Sequence, residues 1–114
     1  MTDRPDLDLE EIKKTLEAER DELVAASESA VDERKPVELD QQSVGRVSRM
    51  DAMQVQAMAQ ALETRRQGRL FRIDEALQRI ADGEYGYCSE CGEDIPAKRL
   101  SIDPTNERCV HCAL

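Results

Sequence analysis

Residues 88–112 read CSECGEDIPAKRLSIDPTNERCVHC and hold all four cysteines of the 114-residue chain. These form two pairs, Cys88 with Cys91 and Cys109 with Cys112, and seventeen residues separate the pairs. Two residues between cysteines allow one short turn to direct both sulfurs at the same ion, and two such turns complete a tetrahedron of thiolates. The spacing therefore predicts one structural zinc ion, Zn²⁺, with the four cysteines as its ligands.

Other uses of two cysteine pairs have less support in the sequence. A disulfide within either pair would close a very short loop, and no apolar leader near Met1-Thr2-Asp3-Arg4 directs the chain to an oxidising compartment. A thioredoxin-like redox pair needs a strand–helix context that the surrounding sequence lacks, and an iron–sulfur cluster is a further use of four thiolates. Because four thiolates leave no position for a bound water, we expect no metal catalysis and no enzyme activity.

Residues beside the cysteines are expected to have local roles. His111 is a candidate replacement ligand, although the middle of a CxxC turn is expected to point outward. Gly92 directly follows Cys91 and is suited to the positive φ that such a turn requires. Tyr85 and Tyr87 are expected to pack over one side of the site.

The composition limits the kind of fold. Charged residues make up 36% of the chain, and its aromatic residues are Phe71, Tyr85 and Tyr87. So few large apolar side chains cannot fill a thick core, but they suit long helices that bury a narrow stripe. No apolar run approaches the ~20 residues that span a membrane. We therefore expect a soluble, cytoplasmic protein with no membrane partner.

The net charge of −9 is distributed unevenly. Residues 1–40 hold fourteen acidic and six basic side chains (−8), residues 41–82 hold five and seven (+2), and residues 83–114 hold six and three (−3). Such acidity repels phosphates, so we expect no sequence-specific DNA binding. The zinc module is expected to meet a protein partner instead.

Two segments have the periodicity of amphipathic helices. The first runs from about Leu7 to Asp32, and the second from about Ser48 to Asp82, with Gly83 as its stop. The seam predicted on the first helix consists of Leu9, Ile12, Leu16, Glu19, Leu23, Ala26 and Ala30. The seam predicted on the second consists of Ala52, Val55, Ala59, Leu62, Arg66, Arg69, Ile73, Ala76 and Ile80, with a shift toward Leu70 and Leu77 beside the arginines.

These two helices predict a mainly α fold, an antiparallel two-helix coiled-coil hairpin followed by a small C4 zinc-finger module. Residues 1–83 form the hairpin in this prediction, with its tip at about 33–48, where Pro36 breaks the first helix. Residues 84–114 form the finger. A monomer is favoured, and pairing of the helices between two chains is the alternative.

The second helix has two further features. Gly68 costs on the order of 1 kcal/mol relative to alanine in a helix, which suggests a close approach of the helices there. The helix also carries a series of arginines, which either pair with the acidic first helix or form a solvated outer face. We expect the solvated face, because exposed ion pairs contribute little. The series consists of Arg65, Arg66, Arg69, Arg72 and Arg79.

The finger region resembles the DksA/TraR family of C4 zinc-finger proteins. The four cysteines, together with Ile95, Arg99 and Pro104 between the pairs, fit that family's finger pattern at every specified position. The run Gly86-Tyr87-Cys88 is also similar to it. The upstream helical hairpin is similar to the family's architecture, so the resemblance covers most of the chain.

The resemblance implies a function that composition alone does not. Members of this family bind bacterial RNA polymerase, insert their coiled coil into its secondary channel, and alter promoter complexes. In several cases they act with ppGpp, the nucleotide of the stringent response. The implied function is therefore a zinc-containing transcription regulator that binds RNA polymerase, with ppGpp as a candidate ligand. The alternative is a zinc-stabilised protein–protein interaction module with no direct transcriptional role.

The hairpin tip departs from the family pattern. Well-known members carry an Asp-x-x-Asp-x-Ala motif there, whereas the corresponding residues 45–50 of this chain contain no aspartate. Arg46 and Arg49 in this stretch, with Asp51 after it, are the candidate partner-binding residues. Solvation of a helix end is their alternative role.

Overall fold

A computed structural model describes residues 4–31 and 46–113, without the side chains of residues 46–49. Helix α1 spans Leu9–Ser29, α2 spans Arg46–Asp82, and a short α3 spans Ala97–Ile102 inside the cysteine-rich segment. The predicted order of two long helices followed by a finger is confirmed. Most of the predicted tip falls on residues 32–45, outside the described residues.

Helix α1 begins where an aspartate caps its first turn. The side-chain oxygen Oδ1 of Asp8 accepts a hydrogen bond from the backbone N–H of Glu11 at 3.1 Å, and its carbonyl accepts one from Ile12 at 3.0 Å. Glu10 and Glu11 lie in the first turn, where the helix dipole favours negative charge. This cap explains why the helix begins two residues later than Leu7.

Helix α2 ends at the predicted glycine. Gly83 has a φ of 76°, and its N–H donates to the carbonyl of Ile80 at 3.2 Å. The next N–H, of Glu84, donates back to the carbonyl of Arg79 at 2.8 Å. This pair of bonds is a Schellman motif, which satisfies helix-end carbonyls and requires the left-handed backbone that glycine adopts readily.

The chain packs as two compact units. Unit 1 comprises Met1–Arg20 and Leu70–Leu114, and unit 2 comprises Asp21–Arg69. Each unit therefore pairs one part of α1 with one part of α2. Because the beginning of α1 belongs with the end of α2, the two helices run antiparallel, and the predicted hairpin fold is confirmed. The predicted domains, residues 1–83 and 84–114, concern independent folding rather than packing, and their boundary stays a prediction.

Unit 1 holds most of the buried apolar side chains of the described chain. Each large one contributes about 1.5–3 kcal/mol relative to an exposed position. The fully enclosed large side chains are Leu16, Ile73, Tyr85, Ile95 and Leu100. The core thus joins both helices to the cysteine-rich segment.

Unit 2 contains a polar layer between the helices. The carboxylate of Glu63 on α2 accepts hydrogen bonds from Ser27 Oγ on α1 at 2.7 Å and from Gln67 Nε2 at 2.7 Å. Arg66 Nη1 also donates to it at 3.2 Å. Only 16% of the Glu63 side chain is exposed. The layer places Glu63 and Arg66 toward α1.

The predicted seams are confirmed on α1 and partly wrong on α2. All seven predicted positions of the first helix are buried or half-buried, and Leu16 is fully enclosed. On α2 the prediction holds from Arg66 onward but fails at three of the four earlier positions, which are exposed. The failing positions are Ala52, Val55 and Leu62. Glu63 takes the inward position next to Leu62 because it has three hydrogen-bond donors there.

The expected close approach at Gly68 is also wrong. A Cβ built on Gly68 meets no atom within 4 Å, so the residue faces open space. Among the described helices, none has both the length and the apolar run that crossing a membrane requires.

Candidate metal centre

The structure brings all four cysteines together. Their Sγ atoms lie within 4.8 Å of one another, and those of Cys91 and Cys109 are 3.6 Å apart. Zinc–sulfur bonds of about 2.3 Å in a tetrahedron require sulfurs roughly 3.8 Å apart. The cluster therefore fits one zinc ion. His111 is exposed and lies outside this cluster.

The first CxxC turn is shaped by backbone hydrogen bonds. The N–H of Gly92 donates to the carbonyl of Cys88 at 2.9 Å, and the N–H of Cys88 donates to the carbonyl of Glu93 at 2.7 Å. Gly92 has a φ of 77°, as its position after Cys91 predicts. The residues on either side of the turn are also joined, because the N–H of Ile95 donates to the carbonyl of Gly86 at 2.8 Å.

The second CxxC turn is joined to the first. The N–H of Ala113 donates to the carbonyl of Cys109 at 3.0 Å, which closes the turn on itself. The N–H of Ser89 donates to the carbonyl of Glu107 at 2.8 Å, which links the two turns directly. Backbone hydrogen bonds therefore shape both turns and connect the two cysteine-bearing segments.

The cysteines ionise unequally without a cation between them. The backbone N–H of Cys109 hydrogen-bonds the Cys88 sulfur and lowers the pKa of Cys88 to about 6. Hydrogen bonds with the other sulfurs, that of Cys109 first, raise the pKa of Cys112 to about 12. Cys88 therefore becomes a thiolate at a lower pH than an ordinary cysteine, and Cys112 only at a higher one. A divalent cation supplies the charge that allows all four to ionise.

The residues between the cysteine pairs, on which the family resemblance rests, pack and tie the finger. Ile95 is fully buried, and the carbonyl of Pro104 accepts a hydrogen bond from the Tyr85 hydroxyl at 2.7 Å. Arg99 Nε donates to the carbonyl of Arg108 at 3.1 Å, next to Cys109. These contacts hold the loop between the pairs. Tyr85 is fully enclosed and Tyr87 is half-buried, in agreement with their expected packing role.

Sequence reasoning missed the contribution of Arg4. Its side chain is buried, and its guanidinium donates to the carbonyls of Gly86 and Ile95 on either side of the first CxxC turn. It also donates twice to Asp6, at 3.0 and 2.9 Å, and lies 6.0 Å from the centre of the Tyr87 ring. These carbonyls are 82 and 91 positions away, so no local pattern signals the contact.

Asp6 completes the Arg4 contact electrostatically. The hydrogen bond from Arg4 lowers the pKa of the Asp6 carboxyl, and the same bond raises the pKa of the Arg4 guanidinium. A buried guanidinium needs such a counter-charge and a complete set of acceptors. The N-terminal segment of unit 1 is thereby attached to the finger.

A second feature of unit 1 is a cavity of about 400 Å³ beside the finger. Two of its arginines pair with acids of the finger rather than with α1: Arg72 with Asp103 at 3.3 Å, and Arg79 with Glu107 at 3.4 Å. Its cationic lining consists of Arg72, Arg79, Arg99 and Arg108. The expected solvated face of arginines is therefore wrong for Arg79, which is largely enclosed, and for Arg66, which pairs with Glu63 and is 21% exposed.

The structure gives less information on the candidate tip residues. Arg46 is the first residue of α2 and Arg49 lies in its first turn, but their side chains are outside the described ones. Asp51 is exposed one turn further along. Their role in binding a partner stays a prediction.

Comparison with known proteins places the finger in a family. Residues 83–114 match the family model described as the prokaryotic DksA/TraR C4-type zinc finger. Over 49 residues the chain is 49% identical to the RNA polymerase-binding transcription factor DksA of Caulobacter vibrioides, a match covering 40% of this chain and 34% of that one. Over 41 residues it is 37% identical to DksA of Escherichia coli, covering 36% and 27%.

A solved structure extends the likeness beyond the finger. Transcription factor DksA2 from Pseudomonas aeruginosa matches with a TM-score of 0.75 and 28% identity, over 92% of this chain and 79% of that one. The curated relatives, in contrast, are matched over about a third of their length or less. The chain is thus a helical hairpin carrying a C4 zinc finger. That finger belongs to the DksA/TraR family, and the resemblance seen in the sequence is confirmed.

Proposed function

We propose that the protein is a zinc-containing transcription regulator that binds bacterial RNA polymerase in the cytoplasm and catalyses no reaction itself. The observation that carries this proposal is the combination of a complete DksA/TraR finger with an antiparallel helical hairpin. The zinc ion has a structural role in it, with Cys88, Cys91, Cys109 and Cys112 as ligands. A closed set of four thiolates supports a scaffold rather than a catalyst.

Direct binding to purified polymerase tests the proposal. Zinc-loaded protein is incubated with bacterial RNA polymerase at low salt, and complexes are collected by pull-down. We expect retention of the protein with polymerase and none with an unrelated acidic protein of similar size. Absence of binding by fully metallated protein would overturn the proposal. It would favour the alternative of an interaction module without a transcriptional role, which the exposed apolar side chains of α2 support.

The proposed contact with polymerase is insertion of the hairpin into the secondary channel, with Arg46, Arg49 and Asp51 near its leading end. In vitro transcription on several promoters compares the wild type with alanine variants of these three residues. Lys14→Ala, which removes an exposed charge from α1 in unit 1, is the matched control. We expect the tip variants to lose the effect on promoters and the control to keep it. Equal activity of all variants would exclude the tip from this role.

The most specific part of the proposal is a role for ppGpp. The cavity of unit 1 supports it, because four arginines line it beside Glu75 and Glu107, and guanidinium groups bind phosphates in a bidentate manner. Calorimetric titration with ppGpp, alone and with polymerase, tests the role. We expect Arg72→Ala to weaken binding and Arg65→Ala, on α2 in unit 2, to leave it unchanged.

A further inference from the structure

Part of α2 in unit 2 exposes apolar side chains where a charged surface is expected. Residues 52–62 contain no charged side chain, although 36% of the whole chain is charged. Val55, Met58 and Leu62 are 58%, 68% and 46% exposed. A contiguous apolar strip on a helix normally faces another protein surface.

The exposed strip has the spacing of a coiled-coil seam. We call it the outer seam, and its positions follow a 4-3-4-3 spacing. It consists of Asp51, Val55, Met58, Leu62 and Arg65. Each of its last four positions is followed directly by a position that faces α1 or is at least half-buried. The outer seam is therefore rotated about 100° around the helix from the inward face. Those inward positions are Gln56, Ala59, Glu63 and Arg66.

The charges at the two ends of the outer seam are opposite. Asp51 and Arg65 are both exposed, and neither side chain has an ion pair or hydrogen bond among the side chains that the structure describes. A two-fold axis through Met58 places residue n of one helix opposite residue 116 − n of the other. Asp51 then faces Arg65 of a second copy, and the same pairing recurs at the other end.

This symmetry favours a second copy of the chain as the partner. By the same relation Met58 faces Met58, Val55 faces Ala61 and Leu62 faces Gln54, so the two uncharged stretches lie together and each end closes with an ion pair. A parallel pair would instead place Asp51 against Asp51 and Arg65 against Arg65. Each copy has a net charge of −9, so two copies repel each other. Contact through residues 52–62 adds no further repulsion, because this stretch carries no charged side chain.

We propose that two copies associate through the outer seam of α2, antiparallel and centred on Met58. The dimer is in equilibrium with the monomer that the sequence favours. Three apolar side chains from each copy make a contact below the size of stable interfaces, so the association is weak and depends on concentration. This inference does not depend on polymerase binding.

Sedimentation equilibrium tests the association over roughly 5 to 500 µM protein. We expect the average mass of the zinc-loaded wild type to rise toward twice that of the monomer. Met58→Glu places two carboxylates on the axis and should hold the mass at one copy. Met53→Glu is the matched control, because Met53 is 54% exposed on another side of the same helix. It should associate as the wild type does, and circular dichroism should show equal helicity in all three proteins.

Charge reversal tests the antiparallel arrangement. Asp51→Arg and Arg65→Asp each place like charges together and should weaken association, whereas the double variant should restore it. A wild type that stays monomeric throughout would overturn the proposal. A dimer that survives Met58→Glu would also overturn it and would indicate exchange of helices between chains. Loss of association in the double variant would contradict the antiparallel register.

Discussion

At the scale of single residues, two buried polar side chains tie unit 1 together. Tyr85 is fully enclosed and donates its hydroxyl to the carbonyl of Pro104, which lies in the loop between the cysteine pairs. Arg4 donates to two carbonyls beside the first CxxC turn. Each contact joins segments far apart in the chain. Their loss is therefore expected to loosen the unit and not merely one turn.

The first prediction concerns Tyr85. Replacing it by Phe keeps the ring but leaves the Pro104 carbonyl without this donor, so we expect a loss of about 0.5–1.5 kcal/mol. Burial raises the pKa of Tyr85 to about 12 from its ordinary value of 10.0. The contribution of its proton to stability is therefore complete below pH 10 and is lost as the pH rises through 12.

Urea denaturation of zinc-loaded wild type and Tyr85→Phe, followed by circular dichroism from pH 8 to pH 11, measures this effect. The difference in free energy of unfolding between the two proteins should be constant up to pH 10 and shrink above it. A constant difference across the whole range would contradict the raised pKa that burial gives Tyr85.

The second prediction concerns Arg4. Arg4→Lys keeps the charge but loses the planar fork that serves several acceptors, so it should destabilise the attachment almost as Arg4→Ala does. We expect a cost of about 1.5–3 kcal/mol, as for hydrogen bonds that involve a charged group. Hydrogen exchange should become faster in residues 4–8 and 86–95. Lys14→Ala, an exposed substitution, should change neither segment, and full rescue by lysine would refute a need for the fork.

At the scale of elements, the helices could be predicted from the sequence but the inward face of α2 could not. The α1 seam is correct because its apolar residues alternate with many charges, which leaves one face to bury. Residues 52–62 of α2 are all apolar, alanine or glutamine, so several faces fit a heptad equally well. The register depends instead on Glu63 and its contact with Ser27 of α1. The four cysteines, in contrast, could be assigned to one zinc site from their spacing, because each pair lies within a single short turn.

The third prediction compares two glycines, Gly68 inside α2 and Gly86 before the first CxxC turn. Gly68 lies inside α2 with open space around it, so Gly68→Ala should stabilise the protein by about 1 kcal/mol. Gly86 is the contrasting case, since its φ is +96° and a Cβ there would lie 2.9 Å from Leu7 Cδ1. Gly86→Ala should therefore be destabilising. Thermal unfolding compares both variants, and a destabilising Gly68→Ala would reveal a contact at that position.

At the scale of the whole molecule, the zinc site supports more than the finger. Unit 1 contains the finger, the beginning of α1 and the end of α2, with Leu16, Ile73 and Tyr85 in one buried core. Structural zinc contributes an apparent ~10–16 kcal/mol in finger peptides at neutral pH. That is as large as the ~5–15 kcal/mol that stabilises a whole domain. Unit 1 is therefore not expected to keep its packing without the metal, whereas unit 2 contains no part of the site.

The fourth prediction follows from this division. Removing zinc with a chelator, or replacing Cys88 by Ser, should accelerate hydrogen exchange across residues 84–113 and also in the Arg4 segment, whose acceptors lie on the finger. Residues 21–29 and 50–69 of unit 2 should keep most of their protection, and most of the helical dichroism should remain. Ser89→Ala, at an exposed position between the two ligands, is the matched control and should retain both zinc and protection. If metal-free protein kept the finger protected, the four thiolates would not be a structural zinc site. If unit 2 lost protection to the same extent, the two units would unfold as one, because only coupled packing could transmit the loss of the ion that far.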